Sequence, residues 1–93
     1  MARVYQTEYM GEAHVRVAIV SGRGQADLLV RRVDSRGFAH GEGLWFITRD
    51  KQEASVWIHP CSIGMAEVKV CFVDTYAETG WVRPHRLQGR FSR

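Results

Sequence analysis

Gly11-Glu12-Ala13-His14 recurs as Gly24-Gln25-Ala26-Asp27 and as Gly37-Phe38-Ala39-His40, and this short repeat sets the pattern of the whole chain. Weaker copies follow as Gln52-Glu53-Ala54-Ser55, Gly64-Met65-Ala66-Glu67 and Ala77-Glu78-Thr79-Gly80. We call the place of the central alanine the marker position; in the last copy Thr79 occupies it. It falls at 13, 26, 39, 54, 66 and 79, in steps of 13, 13, 15, 12 and 13. A step that steady indicates one supersecondary unit used repeatedly. Most of these residues are therefore expected to serve architecture.

Each copy of the repeat begins with a strand-like pattern. Nine residues before the marker position lies an apolar column: Val4, Val17, Val30, Trp45, Trp57 and Val70. Alternation of apolar and polar residues, rich in β-branched and aromatic types, is typical of half-buried strands. The pattern predicts strands over 2–6, 15–20, 28–33, 44–48, 56–59 and 68–73, with a seventh over 81–83. It also predicts that Trp45 and Trp57 lie in the core, and that the fifth strand either ends at Pro60 or lies at a sheet edge.

The corners between strands leave no room for long helices. No sustained i, i+3, i+4 apolar stripe occurs, so a corner holds at most one helical turn. Glycine two residues before the marker predicts a positive φ or a close backbone approach. The extra residues Gly41-Glu42-Gly43 predict a longer and looser third connection. Neither end resembles a solenoid cap, which favours a compact closed or self-wrapped arrangement of six to seven short strands.

Composition bounds the class of protein. The chain has 93 residues, 45% hydrophobic residues and a formal net charge of +3, which fit one folded domain. We assign 1–83 to a strand-repeat domain and 84–93 to a basic C-terminal tail. No apolar run is long enough to span a membrane and no signal-peptide core is present, so a cytoplasmic protein is expected. Cys61 and Cys71 are then expected to be reduced.

Two stretches resemble a small family of uncharacterised bacterial domains of unknown function. Arg36-Gly37-Phe38-Ala39-His40-Gly41-Glu42-Gly43-Leu44-Trp45 is similar to its central segment, and Val73-Asp74-Thr75-Tyr76-Ala77-Glu78-Thr79-Gly80-Trp81 to its closing segment. The resemblance covers residues 3 to 82. It implies a strand-rich fold whose backbone forms a deep torus knot with seven crossings. The chain departs from the family pattern at Gln52, at His59-Pro60-Cys61 and at Thr79.

The repeat suggests how such a knot would arise. Similar strand units that circle a common axis about twice would interleave strands of the first circuit with strands of the second. Closing such a path gives a seven-crossing torus knot, so the repeat would itself be the cause of the knot.

No nucleophile signature and no phosphate-binding loop appear in the sequence. Four candidate residues share the place after the marker position: His14, Asp27, His40 and Glu67. If the units circle an axis, these side chains form one polar, hydrogen-bonding rim. The alternative is a zinc site built from the two histidines and nearby carboxylates. The spacing is that of the repeat and matches no metal motif, so we predict a rim, with no metal or cofactor.

The tail mixes cations with aromatic residues. Its candidate nucleic-acid-binding residues are Trp81, Arg83, Arg86 and Arg90, because phosphate neutralisation combined with base stacking uses these side-chain types. The alternative is a solvent-exposed terminus.

The leading functional hypothesis is a rigid, non-catalytic binding or structural module, because almost every distinctive residue belongs to the repeat. Its partner would be another protein or a second copy of the chain. A second hypothesis is weak binding of RNA or single-stranded DNA through the tail. A third is a small metal-assisted enzyme that uses His14 and His40.

Overall fold

Short strands carry nearly all the regular structure of the chain. The computed structural model describes residues 2–39 and 41–92. The strands are β1 (Ala2–Gln6), β2 (Val15–Ile19), β3 (Leu28–Arg32), β4 (Leu44–Ile47), β5 (Val56–Pro60), β6 (Val68–Phe72) and β7 (Gly80–Trp81). Single 3₁₀ turns occupy four corners, at Met10–Glu12, Arg23–Gln25, Arg36–Phe38 and Tyr76–Glu78. The predicted mainly β fold with little helix is confirmed, and each predicted strand overlaps an observed one. Pro60 ends β5, as predicted.

The first six strands form a closed parallel barrel. Hydrogen-bonded neighbours follow the order β4-β1-β5-β2-β6-β3, and the pairing of β3 with β4 closes the ring. Strand β7 lies outside the ring and pairs antiparallel with the start of β3. The predicted closed arrangement is therefore confirmed. A closed ring leaves no unpaired sheet edge among these six strands.

The chain passes around the barrel in two interleaved circuits. Strands β1, β2 and β3 belong to the first circuit, and β4, β5 and β6 fill the gaps between them. Most connections skip one strand, whereas β3 and β4 are direct neighbours. Because the ring has an even number of strands, skipping one strand every time would return the chain to its starting strand. The single direct step, made by the longest connection, shifts the second circuit into the gaps of the first.

Inward-facing side chains fill the barrel in layers, as the two-residue period of a strand requires. The first layer, at the N-terminal ends of the strands, is Ala2, Val15, Leu28, Val56 and Val68, all buried. The second layer is Val4, Val17, Val30, Trp45, Ile58 and Val70, all fully buried. The third layer, at the C-terminal ends, is Gln6, Ile19, Arg32, Ile47, Pro60 and Phe72, of which none is buried.

Trp57 is not a core residue, and its prediction as one is wrong. Its side chain is only partly buried, while its neighbours Val56 and Ile58 face the core. The fifth copy is one residue shorter than the others between its strand and Ala66. Counting nine residues back from Ala66 therefore reaches Trp57, whereas the inward-facing residue of this strand is Ile58. A shift of one residue turns a strand position to the opposite face. Trp45, by contrast, is fully buried, as predicted.

The corner glycines do not adopt the conformation that the sequence suggested. Positive φ occurs among the described residues only at Gly41, Gly80 and Gly89, and a Cβ at Gly11, Gly24 or Gly64 would meet nothing within 4 Å. The third connection is also tighter than predicted. A Cβ at Gly43 would lie 2.8 Å from the backbone nitrogen of Gly80.

Candidate functional sites at the two ends of the barrel

The side chain after each marker position joins two neighbouring strands. At His14, Asp27, Ser55 and Glu67 it accepts a hydrogen bond from a backbone N–H of the adjacent strand of the other circuit. The four bonds run from Trp57 to Nδ1 of His14 (2.9 Å), Lys69 to Oδ2 of Asp27 (3.1 Å), Arg3 to Oγ of Ser55 (3.0 Å) and Arg16 to Oε1 of Glu67 (3.1 Å). In each case the backbone N–H of the rim residue donates to the carbonyl of the same partner, at 2.8–2.9 Å. These hydrogen bonds join strands of the first circuit to strands of the second circuit.

We call His14, Asp27, Ser55 and Glu67 the rim. Because they directly precede parallel strands, these residues lie together at the N-terminal end of the barrel. His40, which was predicted to join them, lies outside the described residues. Ser55 occupies the same place in the repeat as the other rim residues.

Two rim side chains have shifted pKa values. Partial burial, and then the positive charge of Arg90, lower the pKa of His14. This favours the neutral ring whose Nδ1 accepts the Trp57 N–H. Burial would raise the pKa of Glu67, but hydrogen bonds from the Arg16 amide and from Arg86 outweigh burial and lower it.

The arginine-rich tail lies on the rim. Nη2 of Arg83 donates to the Ala26 carbonyl at 3.1 Å, and Nε of Arg83 lies 3.7 Å from Oδ1 of Asp27. Nη2 of Arg86 lies 3.1 Å from Oε2 of Glu67. Nη1 of Arg90 donates to the Ser55 carbonyl at 3.3 Å. The structure therefore brings the predicted tail and rim residues together at one end of the barrel.

Glu42 fixes the tail and was missed in the sequence. Its Oε1 accepts the indole N–H of Trp81 at 2.8 Å and the backbone N–H of Gly89 at 2.6 Å, and its Oε2 accepts the N–H of Phe91 at 3.2 Å. Three donors on one carboxylate form a strong, charge-assisted anchor. The available signal was the insertion of 41–43 into the third connection, which the sequence alone shows only as extra length.

Phe91 closes the N-terminal end of the barrel. It is fully buried, stacks on Trp45 with ring centroids 5.3 Å apart, and lies 6.0 Å from the ring of Trp81. Leu87 and Trp81 pack against the same core. The segment 83–92 is therefore not a free, solvent-exposed terminus. We call this end the sealed end.

The opposite end is open. The third inward layer forms its lining, and among these residues Ile19 is 47% and Phe72 38% exposed. Three adjoining hollows surround Arg32 there, with volumes of about 520, 450 and 410 Å³. We call this third layer, with the hollows around it, the open mouth. The sequence does not reveal the open mouth, because the third layer mixes side-chain types and becomes visible only when the strands are aligned around the ring.

A family model described as the 7(1) septoil knot domain matches residues 1–82. The chain belongs to the septoil knot domain family. Residues 36–45 and 73–81 resemble a small family of knotted domains, and the match of the family model confirms this resemblance. No curated protein and no solved structure matches the chain.

The sealed end of this septoil knot domain uses residues beyond the matched part. The match ends at residue 82, whereas Phe91 belongs to the main hydrophobic core. The proposed division of the chain after residue 83 stays a prediction.

Within 2–39 and 41–92, no group of three or more His, Cys, Asp or Glu side chains is placed to hold a metal ion. In the same part of the chain, no helix has the length and apolarity needed to cross a bilayer.

Proposed function

We propose that this septoil knot domain is a rigid, non-catalytic binding module and that its open mouth is the binding surface. The difference between the two barrel ends carries this proposal. At the sealed end Phe91 is fully buried, whereas at the open mouth Ile19 and Phe72 expose apolar surface, and Phe72 lines the same hollow as Arg32. The hollows of the mouth are lined mainly by charged and polar residues, together with a few apolar ones such as Phe72 and Ile47. A concave surface that offers both kinds of side chain can hold and orient a ligand.

Rigidity supports the proposal. Every barrel strand is hydrogen-bonded to a neighbour on both sides, and the rim adds side-chain bonds between the two circuits. Local opening of one strand would therefore break bonds to two neighbours at once, which raises its free energy toward that of global unfolding. A binding surface on such a scaffold is preorganised and loses little conformational entropy on association.

The rim side chains are already used by the barrel, which favours a non-catalytic role for them. Asp27 and Glu67 each accept a backbone N–H and also lie beside a tail cation. Groups fixed in this way have few lone pairs left for a substrate.

NMR titration tests the proposal. Isotope-labelled protein would be titrated with single-stranded oligonucleotides and with short peptides, and diluted to detect self-association. We expect at least one series to shift the amide signals of Arg32, Ile47 and Phe72, with the rim amides as the internal control. If no series moves the mouth signals, or if the shifts are concentrated on the rim, the proposal is wrong.

Binding of RNA or single-stranded DNA by the tail stays the alternative proposal. One observation favours it: the side chains of Arg83 and Arg86 are 48% and 68% exposed although each lies beside a carboxylate. Truncation after Trp81 is an unsuitable test, because it would remove the buried Phe91. The double variant Arg83→Gln/Arg86→Gln keeps Phe91, and loss of oligonucleotide retention in that variant alone would favour the tail over the mouth.

A further inference from the structure

The three hollows of the open mouth form a row with one shared cation. Arg32 lines all three of them. Each hollow is also lined by one aromatic residue: Phe72 in the first, Phe46 in the second and Tyr5 in the third. Phe72 is exposed, whereas Phe46 and Tyr5 are partly buried, and the Tyr5 ring also contacts Trp57. The row therefore places three aromatic residues around one shared guanidinium, that of Arg32.

The charges of the row leave two arginines available to a ligand. Arg31 is already held, because its Nη1 donates to the Asp74 carbonyl at 2.8 Å and its guanidinium lies 4.5 Å from the centroid of the Tyr76 ring. Arg32 and Arg49, at the centre and at the third hollow, form no ion pair with any described residue. Unpaired arginines favour phosphate, which they bind through two parallel hydrogen bonds.

The walls also contain acceptors. Asp34 lines the first and second hollows, and Asp74 lines the first. Carboxylates beside a cation disfavour a dense polyphosphate. They suit a ligand that presents N–H donors between widely spaced phosphates, which is the pattern of nucleobases on a backbone.

Resting on the proposed function, we propose that the open mouth binds single-stranded nucleic acid, with successive bases against Phe72, Phe46 and Tyr5 and the backbone phosphates at Arg32 and Arg49. Stacking on aromatic side chains combined with arginine contacts is the general mode of sequence-tolerant single-strand recognition. A duplex is excluded, because its base faces are stacked inside the helix and cannot reach the rings.

Fluorescence anisotropy with labelled dodecamers of uridine and of deoxyuridine tests this inference at low salt. Phe46→Leu should weaken binding by about 5- to 100-fold, as expected for loss of one stacking ring. Arg32→Gln should weaken binding and reduce the slope of log K against log salt by roughly 0.7, the value for one phosphate on a single strand. Comparison of the two oligomers reports whether the 2′-hydroxyl contributes.

Matched controls lie outside the mouth. Phe38 is 59% exposed and the side chain of Arg23 is 57% exposed, and neither residue lines a hollow, so Phe38→Leu and Arg23→Gln should leave the affinity unchanged. Thermal unfolding verifies that each variant is folded. Equal loss in the controls, or equally tight binding of a duplex, would overturn the inference. Absence of oligonucleotide binding, with peptide-induced shifts at the mouth, would reject this ligand class and leave the binding module intact.

Discussion

Side chains of different charge make the same hydrogen bond at the rim. A carboxylate at Asp27, a carboxylate at Glu67 and a neutral imidazole at His14 each accept one backbone N–H from the adjacent strand. The strand offers a donor, so the position requires an acceptor and tolerates any residue type that supplies one. The variety of residues at this place in the repeat follows from that requirement.

Position 43 must be glycine because the surrounding atoms leave no space for a Cβ. A Cβ there would lie 2.8 Å from both the Gly80 nitrogen and the Thr79 Cβ, and 3.1 Å from the Leu29 carbonyl oxygen. Two of these atoms belong to the backbone and cannot rotate away. Gly43→Ala should therefore lower the free energy of unfolding by about 1–3 kcal/mol, as overpacking does.

Gly24→Ala is the matched control for Gly43→Ala. Its added Cβ would meet nothing within 4 Å and its φ is not positive. Since alanine restricts the unfolded chain, this change should be neutral or stabilise by up to about 1 kcal/mol. Urea unfolding of both variants measures the difference, and equal stabilities would contradict the close approach at Gly43.

Among the elements, the segment after β7 behaves as part of the barrel. Phe91 contributes a fully buried ring, and Glu42 in the third connection accepts the N–H groups that hold it. Phe91→Ala should cost about 3–5 kcal/mol of unfolding free energy, the usual range for a buried phenylalanine. Phe38→Ala, at a ring that is 59% exposed, should change it by no more than about 0.5 kcal/mol. Similar losses for the two variants would show that the tail does not seal the barrel in solution.

How far the sequence predicts these elements depends on the range of the interactions. The strand column follows from local periodicity, and five of the six column residues are indeed core residues. The closed arrangement was predicted because neither end of the repeat resembles a solenoid cap. Trp57 was wrongly predicted as a core residue because its copy lacks one residue between the strand and Ala66, the position from which the register was counted. Glu42, Phe91 and the open mouth could not be predicted, since their partners are distant in sequence and no repeat links them.

For the whole molecule, the interleaved circuits make topology a physical property of the fold. Strands of the second circuit lie between strands of the first, so neither circuit can leave the barrel as a unit without crossing the other. The direct step from β3 to β4 sets this order. Membership of the septoil knot domain family accords with such a path.

The path predicts that the chain stays knotted when its ends are pulled apart. At about 3.3–3.6 Å per residue, 93 residues extend to roughly 310–330 Å. Under tension a knot tightens and retains part of the chain, so an optical-trap measurement with handles at the two ends should reach a plateau short of that length. With one handle moved to Asp50, the tension acts on a stretch holding only β5, β6 and β7 of the barrel path, and this stretch should extend fully. Full extension in the end-to-end experiment would show that the backbone is not knotted.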